Sequence, residues 1–186
     1  MTDHFVPAVT AIFVLDNDGQ RLSAKYFSPQ FANNADKTAF EMRLFKKTRH
    51  NNARSESEII MMDNFTVVFR SGSDAHFYVV GDGNENELIL ATVLDAFHEA
   101  ISMLLRGQVD RRSLLDNLDL LMLTVDELVD GGTILETDST AIVSRVLMRG
   151  VSGAQGVPLA DMTISQAFAS AKDSFIKSMG NREGAF

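Results

Sequence analysis

Residues 120–136 read LLMLTVDELVDGGTILE, and the reading of this stretch decides how the remainder is interpreted. Leu118, Leu121, Met122, Val125 and Val129 recur at three- and four-residue spacing, which predicts an α-helix with one apolar side. Asp119, Asp126 and Asp130 fall on the opposite side, toward water. Gly131-Gly132 is expected to end the helix, because glycine takes the left-handed C′ conformation without a Cβ penalty. Ile134-Leu135 then returns the chain to apolar cover, and Asp138 can cap the next helix. Nothing in the stretch is chemically reactive.

Upstream, the pattern changes from helical to strand-like. Residues 9–15 have only Thr10 as a polar member and are rich in β-branched side chains, as in a strand covered on both faces. Asp16-Asn17-Asp18-Gly19 is a tight turn, and residues 20–27 alternate behind it. Leu22, Ala24 and Tyr26 are assigned to one face, Arg21, Ser23 and Lys25 to the other. Asp36 is the expected cap of a helix reaching Thr48, with Phe40, Leu44 and Phe45 inside. Residues 58–62, 65–71 and 75–81 follow as three strands separated by Asp63-Asn64 and Gly72-Ser73-Asp74.

Asn84 and Glu87 stand at capping-box spacing before a long helix. Leu90, Val93, Leu94, Phe97, Ile101, Leu104 and Leu105 cover its broad side, and Ile89, Ala96, Ala100 and Met103 add a second. A helix so widely apolar must be covered from two directions. A short helix spans residues 111–117, and another spans 140–148, ended by Gly150. The expected organisation is one domain over residues 1–150, a glycine-rich flexible linker at 151–158, and an amphipathic helix over 159–180. Ile164, Phe168, Ala171 and Phe175 line one face of that last helix.

Composition removes several classes of function. No cysteine is present, so disulfides and thiolate metal sites are excluded. The start lacks a basic leader and a cleavage site, and the most apolar run is broken by Asp95, His98 and Glu99, so neither a signal peptide nor a membrane span is expected. A net charge of −8 argues against nucleic acid. That charge is uneven: Lys37, Arg43, Lys46, Lys47, Arg49 and Arg54 face only Glu41 within residues 37–54, whereas residues 113–144 hold seven acids and no Lys or Arg. These runs are either solvated helix faces or two surfaces of opposite character, the basic one meeting an acidic partner or anionic lipid.

The search for reactive constellations returns none. Aligning Asp16-Asn17-Asp18-Gly19 with a calcium loop places Val14 and Lys25 where carboxylates belong. Gly81-Asp82-Gly83 begins a dinucleotide fingerprint, but Asn86 occupies its last glycine position. His4, His50, His76 and His98 lack metal-ligand spacing. Gly150-Val151-Ser152-Gly153 misses a nucleophile elbow by one residue. Asp126 and Glu127 diverge by about 100° on a helix and cannot serve one bond together. The expectation is a non-catalytic protein without cofactor or metal.

The order of elements resembles the longin fold, an α/β (α+β) architecture with a five-stranded antiparallel sheet sandwiched by helices, here with a helical C-terminal extension. Within that group the chain is similar to the coatomer zeta subunits. The resemblance rests on VLDNDGQRLSAKYF (14–27), NFTVVFRS (64–71), FYVVG (77–81), ENELILATVL (85–94), LLRGQVDRRSLLDNL (104–118), VDELVDGGTILETD (125–138) and VSRVLMRG (143–150). Clathrin adaptor small chains are similar in outline, typically with GEI-x-ET where this chain has GGTILET. The resemblance implies a structural subunit of the COPI coat. It would be cytoplasmic and peripheral on Golgi membranes and vesicles, seated on the gamma large chain beside beta and delta subunits and recruited indirectly through Arf GTPase. The alternatives are a sigma chain of a clathrin-type adaptor and a longin regulator of membrane fusion. Leu120 and Leu123 lie off the expected core line of their helix, near its acids, so Leu120, Leu123, Asp126 and Asp130 form the candidate partner interface. Partial burial under a later helix is the competing explanation for the two leucines.

Overall fold

A computed structural model describes residues 8–49 and 56–152. Strands β1 (Val9–Asp16) and β2 (Arg21–Tyr26) form a hairpin, followed by helix α1 (Asn34–Thr48). Strands β3 (Glu58–Met62), β4 (Phe65–Ser71) and β5 (Ala75–Asp82) come next, then helix α2 (Glu87–Leu104). Helices α3 (Arg111–Asp116) and α4 (Leu118–Leu128) lead through the short strands β6 (Val129–Asp130) and β7 (Thr133–Ile134) into α5 (Ser139–Ser152). The five long strands are antiparallel neighbours in the order β2-β1-β5-β4-β3. This is the mixed α/β architecture, with a five-stranded antiparallel sheet, that the resemblance of the element order implies.

The sheet separates two cores, which is why β1 is buried along its whole length. Ala11, Phe13 and Leu15 face α1 and join Phe40, Leu44 and Phe45. Phe13 and Phe69 both stack on Tyr78, with ring centroids 5.0 and 6.0 Å away. Ile12 and Val14 face the other way and meet Leu90, Val93, Leu94, Phe97 and Ile101 of α2. Leu121, Val125 and Leu128 of α4 and Ile142 and Val146 of α5 complete that second core. Helix α2 is thus covered by the sheet on one side and by α4 on another, as its broad apolar surface requires.

Several local expectations change. Asn33 caps α1 by accepting from the Asp36 N–H, so Asp36 belongs to the first turn. Asn86 caps α2 through the Leu88 N–H, while Asn84 bonds to Asp82. Leu22 packs in the α2-side core and Ala24 and Tyr26 in the α1-side core, because the β1–β2 register slips where Leu15 pairs with Arg21. A bulge shifts one residue to the opposite face, which alternation alone cannot reveal.

The Gly131-Gly132 pair does not cap a helix. Helix α4 stops at Leu128, Val129 is extended, and Val129-Asp130 pairs back onto Thr133-Ile134. The glycines have φ of 56° and 91°, so they form the tight turn between β6 and β7. Asp138 caps α5 as expected, accepting from the Thr140 and Ala141 N–H groups. Helix α5 continues through Gly150 to Ser152, since a single internal glycine costs only about 1 kcal/mol. One compact unit closes at Arg149. The remainder of the expected linker and the expected tail helix lie outside the described residues.

Candidate partner-binding surfaces

Helix α4 presents a different outer face from the expected one. Leu121, Thr124, Val125, Glu127 and Leu128 are buried, which turns the core line away from Leu118 and Met122. Those two are 37% and 40% exposed. Leu120 and Leu123 are half-buried against the α2-side core, so partial burial describes both. Asp126 pairs with Lys25 of β2, and the Ser23 hydroxyl donates to Met122 Sδ at 3.1 Å. Asp130 is exposed at the β6–β7 turn. The four expected interface residues therefore share one helix and its turn, but only Asp130 among them is fully exposed.

Glu127 escaped the sequence reading. It is 5% exposed, and its Oε1 lies 2.8 Å from Arg149 Nη2, while Oε2 lies 3.8 Å from Arg145 Nη1. Arg145 also donates to Glu136 at 3.0 Å. Two arginines four apart on one helix were the available signal that a carboxylate faces them. The acidic run of residues 113–144 is therefore largely spent inside the fold, on Lys25, on Arg145 and Arg149, and on the cap of α5.

The basic run is similarly committed. Lys37 sits over the Tyr26 ring, 5.1 Å from its centroid, and Arg43 pairs with Asp63. Lys47 donates to the Met61 carbonyl at 2.9 Å. Lys46 and Arg49 are exposed, and Arg54 lies outside the described residues. Behind this face Glu41 is buried, accepting from the Tyr26 hydroxyl at 2.6 Å and from Arg21 at 2.9 Å. Burial, reinforced by the Glu41 charge, raises the Tyr26 phenol well above its usual range.

The two described histidines, His76 and His98, hold structural positions, and His4 and His50 lie outside the described residues. His76 bridges Ser71 and Asn17, and burial lowers its pKa against the opposing pull of Asp16. His98 packs edge-on against Phe77. Burial first, then the Arg70 charge, brings its pKa down to about 4. Among the described residues no three His, Asp or Glu side chains converge as a metal site, and no helix is long and apolar enough to cross a membrane.

What the surface does offer is apolar area. Ile59, Met61 and Leu88 are exposed around β3 and α2, Leu115, Leu118 and Met122 along α3 and α4, and Leu147 on α5. A fold with this surface is suited to being covered by a partner.

Comparison with known proteins agrees with that character. The clathrin adaptor complex small chain model matches residues 8–152. Coatomer subunit zeta-3 of Oryza sativa is 46% identical over 93% of this chain and 97% of its own length. Coatomer subunit zeta-1 of Bos taurus is 46% identical over 89% of each chain. A chain in a homology model of the full-length AP-3 complex superposes with a TM-score of 0.63 at 16% identity, covering 78% of this chain and 96% of that one, which shows the shared fold. The chain belongs to the clathrin adaptor complex small chain family, among the coatomer zeta subunits.

Proposed function

We propose that the protein is a non-catalytic subunit of the COPI coat that pairs with the gamma large chain. In this reading beta and delta subunits share the subcomplex, and Arf GTPase acts on it only through the large chains. The protein then works in the cytoplasm, peripherally on Golgi membranes and vesicles, in retrograde and intra-Golgi transport. The observation that carries the proposal is the 41–46% identity to coatomer zeta subunits across nearly their whole length. The outer flank of α4 supports it, because Leu118 and Met122 stand exposed beside Asp119 and Asp130. Apolar groups rimmed by charge suit a protein interface better than bulk water. Leu120 and Leu123 would then brace this face from behind, while Asp126, tied to Lys25, would lie within it.

The test is to recover the tagged full chain from cytosol and identify the large chain retained with it. Gamma-coatomer is the expected partner. Retention of a clathrin-type adaptor large chain instead would select the sigma-chain alternative. A role for Lys46 and Arg49 in lipid contact would appear as vesicle flotation that depends on anionic lipid, at about 1 kcal/mol per basic residue.

A further inference from the structure

Strand β3 forms one border of the sheet, and its outer edge is unpaired among the described residues. Asp63 and Asn64, with φ of 52° and 64°, make a two-residue turn that pairs Met62 with Phe65. In such a hairpin the flanking residues exchange both backbone bonds, and bonded pairs then alternate along the ladder. Met62, Ile60 and Glu58 thus direct their N–H and C=O groups into β4, while Ile59 and Met61 direct theirs outward. The hydrogen bond from Lys47 to the Met61 carbonyl agrees with this assignment. A lysine reaching over a bare strand edge is a known device against unwanted pairing.

The side chains at this edge are unusually exposed. Ile60 and Met62 pack toward α1, so Ile59 and Met61 turn to the α2 side, where they are 45% and 61% exposed. Leu88, in the first turn of α2, is 67% exposed. Asp95 accepts from Ser57 at 2.7 Å and lies 3.7 Å from Arg70, so its flank of α2 overlooks β3. Leu88 precedes Asp95 by two helical turns and lies on that same flank. Leu88 and Met61 are the two most exposed large apolar side chains among the described residues, and they flank one edge. On the opposite side of the sheet a cation stands over the edge: Lys47, in the last turn of α1, donates to the Met61 carbonyl, and Arg43 one turn earlier pairs with Asp63 of the β3–β4 turn.

We propose that an extended segment of a coat partner adds to β3 as a further strand. Its alternate side chains are apolar, over Ile59, Met61 and Leu88, and acidic, toward Lys47. On docking, a partner N–H replaces Lys47 at the Met61 carbonyl and frees the ammonium for a carboxylate. Main-chain bonds supply affinity in such strand addition, and the alternating pattern supplies specificity. A second copy of β3 fits less well, because on the α1 side it would offer Lys47 mainly Ile60 and Met62, with Glu58 as its one acid. The inference rests on the coat reading for the partner's identity, but the edge chemistry is tested without it.

The probe is a ten-residue peptide of alternating Val and Glu, added to the isotopically labelled full chain, with alternating Val-Lys and block Val-then-Glu peptides as controls. The expected result is saturable shifts and slowed exchange at the Ile59 and Met61 amides with the alternating acidic peptide alone. Ile59→Pro removes an outward N–H and spares the β4 ladder, so it should weaken binding at least about tenfold. Met61→Asp, which keeps the backbone intact, should weaken it comparably, and Lys47→Glu should transfer preference to the Val-Lys peptide. No shifts at millimolar peptide, an equal response to the lysine peptide, or amides already protected in the free chain would overturn the proposal. Peptide binding without retention of any coat large chain would refute the coat reading alone. Retention without peptide binding would refute strand addition alone.

Discussion

Arg111 Nε stands 3.0 Å from Asp16 Oδ2, tying the short helix α3 to the turn of the first hairpin across 95 residues of sequence. Asp16 is only 2% exposed. Its other oxygen accepts from the Asp18 and Gln20 N–H groups at 2.9 and 2.8 Å. Burial would raise this carboxyl's pKa, but the Gln20 N–H, Arg111 and the Asp18 N–H outweigh burial and hold it below the ordinary value. One carboxylate therefore shapes the turn and fastens the helical layer to it.

Removing the guanidinium tests that junction. Arg111→Ala should cost about 1–2 kcal/mol at neutral pH, the range for a hydrogen bond to a charged group whose partner stays partly solvated. A carboxyl depressed in the folded state contributes stability above its unfolded pKa and loses it as pH falls through the folded one. The deficit should therefore shrink as Asp16 protonates. Urea denaturation of both proteins from neutral pH down through the acid range measures it, and a deficit that never shrinks would refute the role given to Asp16.

The two glycines of the β6–β7 turn separate by what surrounds them. A Cβ on Gly132 would lie 3.0 Å from the Val9 carbonyl oxygen, at a φ of 91°. Gly131 opens on free space at a φ of 56°, which asparagine tolerates. Gly132→Ala should lose more than about 1 kcal/mol, and Gly131→Asn should lie within about 0.5 kcal/mol of the parent because Asn-Gly suits this turn. Thermal melting of the pair decides; equal losses would refute the weight given to the Val9 contact.

Sequence pattern carried the strands well, because β3, β4 and β5 are local runs set off by turns, and in β4 and β5 burial follows the apolar composition. It failed where a partner is remote or a register slips. Asp16 read only as a turn residue, and Glu127 only as a carboxylate diverging from its neighbour Asp126, because Arg111 and Arg149 are distant in sequence. Leu22 changed face at a bulge that no alternation encodes. On α4 both sides carry leucine or methionine, so spacing could not say which would be covered. Residues 58–62 read only as a strand, since an edge strand reads like an inner one until its neighbours are known, so the exposure of Ile59 and Met61 was not legible.

The pH dependence of stability should carry a histidine component. The His98 pKa of about 4 lies below the ordinary 6.5, chiefly through burial and then through Arg70, with Asp95 opposing. The unfolded chain therefore takes up this proton first, and stability full above pH 6.5 declines toward pH 4. Partial exposure of the ring limits the loss to about 1–2 kcal/mol. His98→Leu should flatten that part of the profile, and the buried His76, shifted in the same direction, should leave the rest. A parent profile flat from pH 7 to about 4.5 would contradict both assignments.

Paired substitutions on α4 separate interface from scaffold. Leu118 and Met122 are exposed, so Leu118→Asp with Met122→Asp should leave the denaturation midpoint nearly unchanged, within about 0.5 kcal/mol. Leu120 and Leu123 pack against the core, and placing carboxylates there should cost about 2–4 kcal/mol. Loss of large-chain retention in the second pair would follow from instability alone and would locate nothing. Loss in the first pair, with the fold intact by circular dichroism, would place the partner on this flank. Full retention there would move the partner off α4, since two carboxylates facing an apolar contact cannot be accommodated without a measurable fall in affinity.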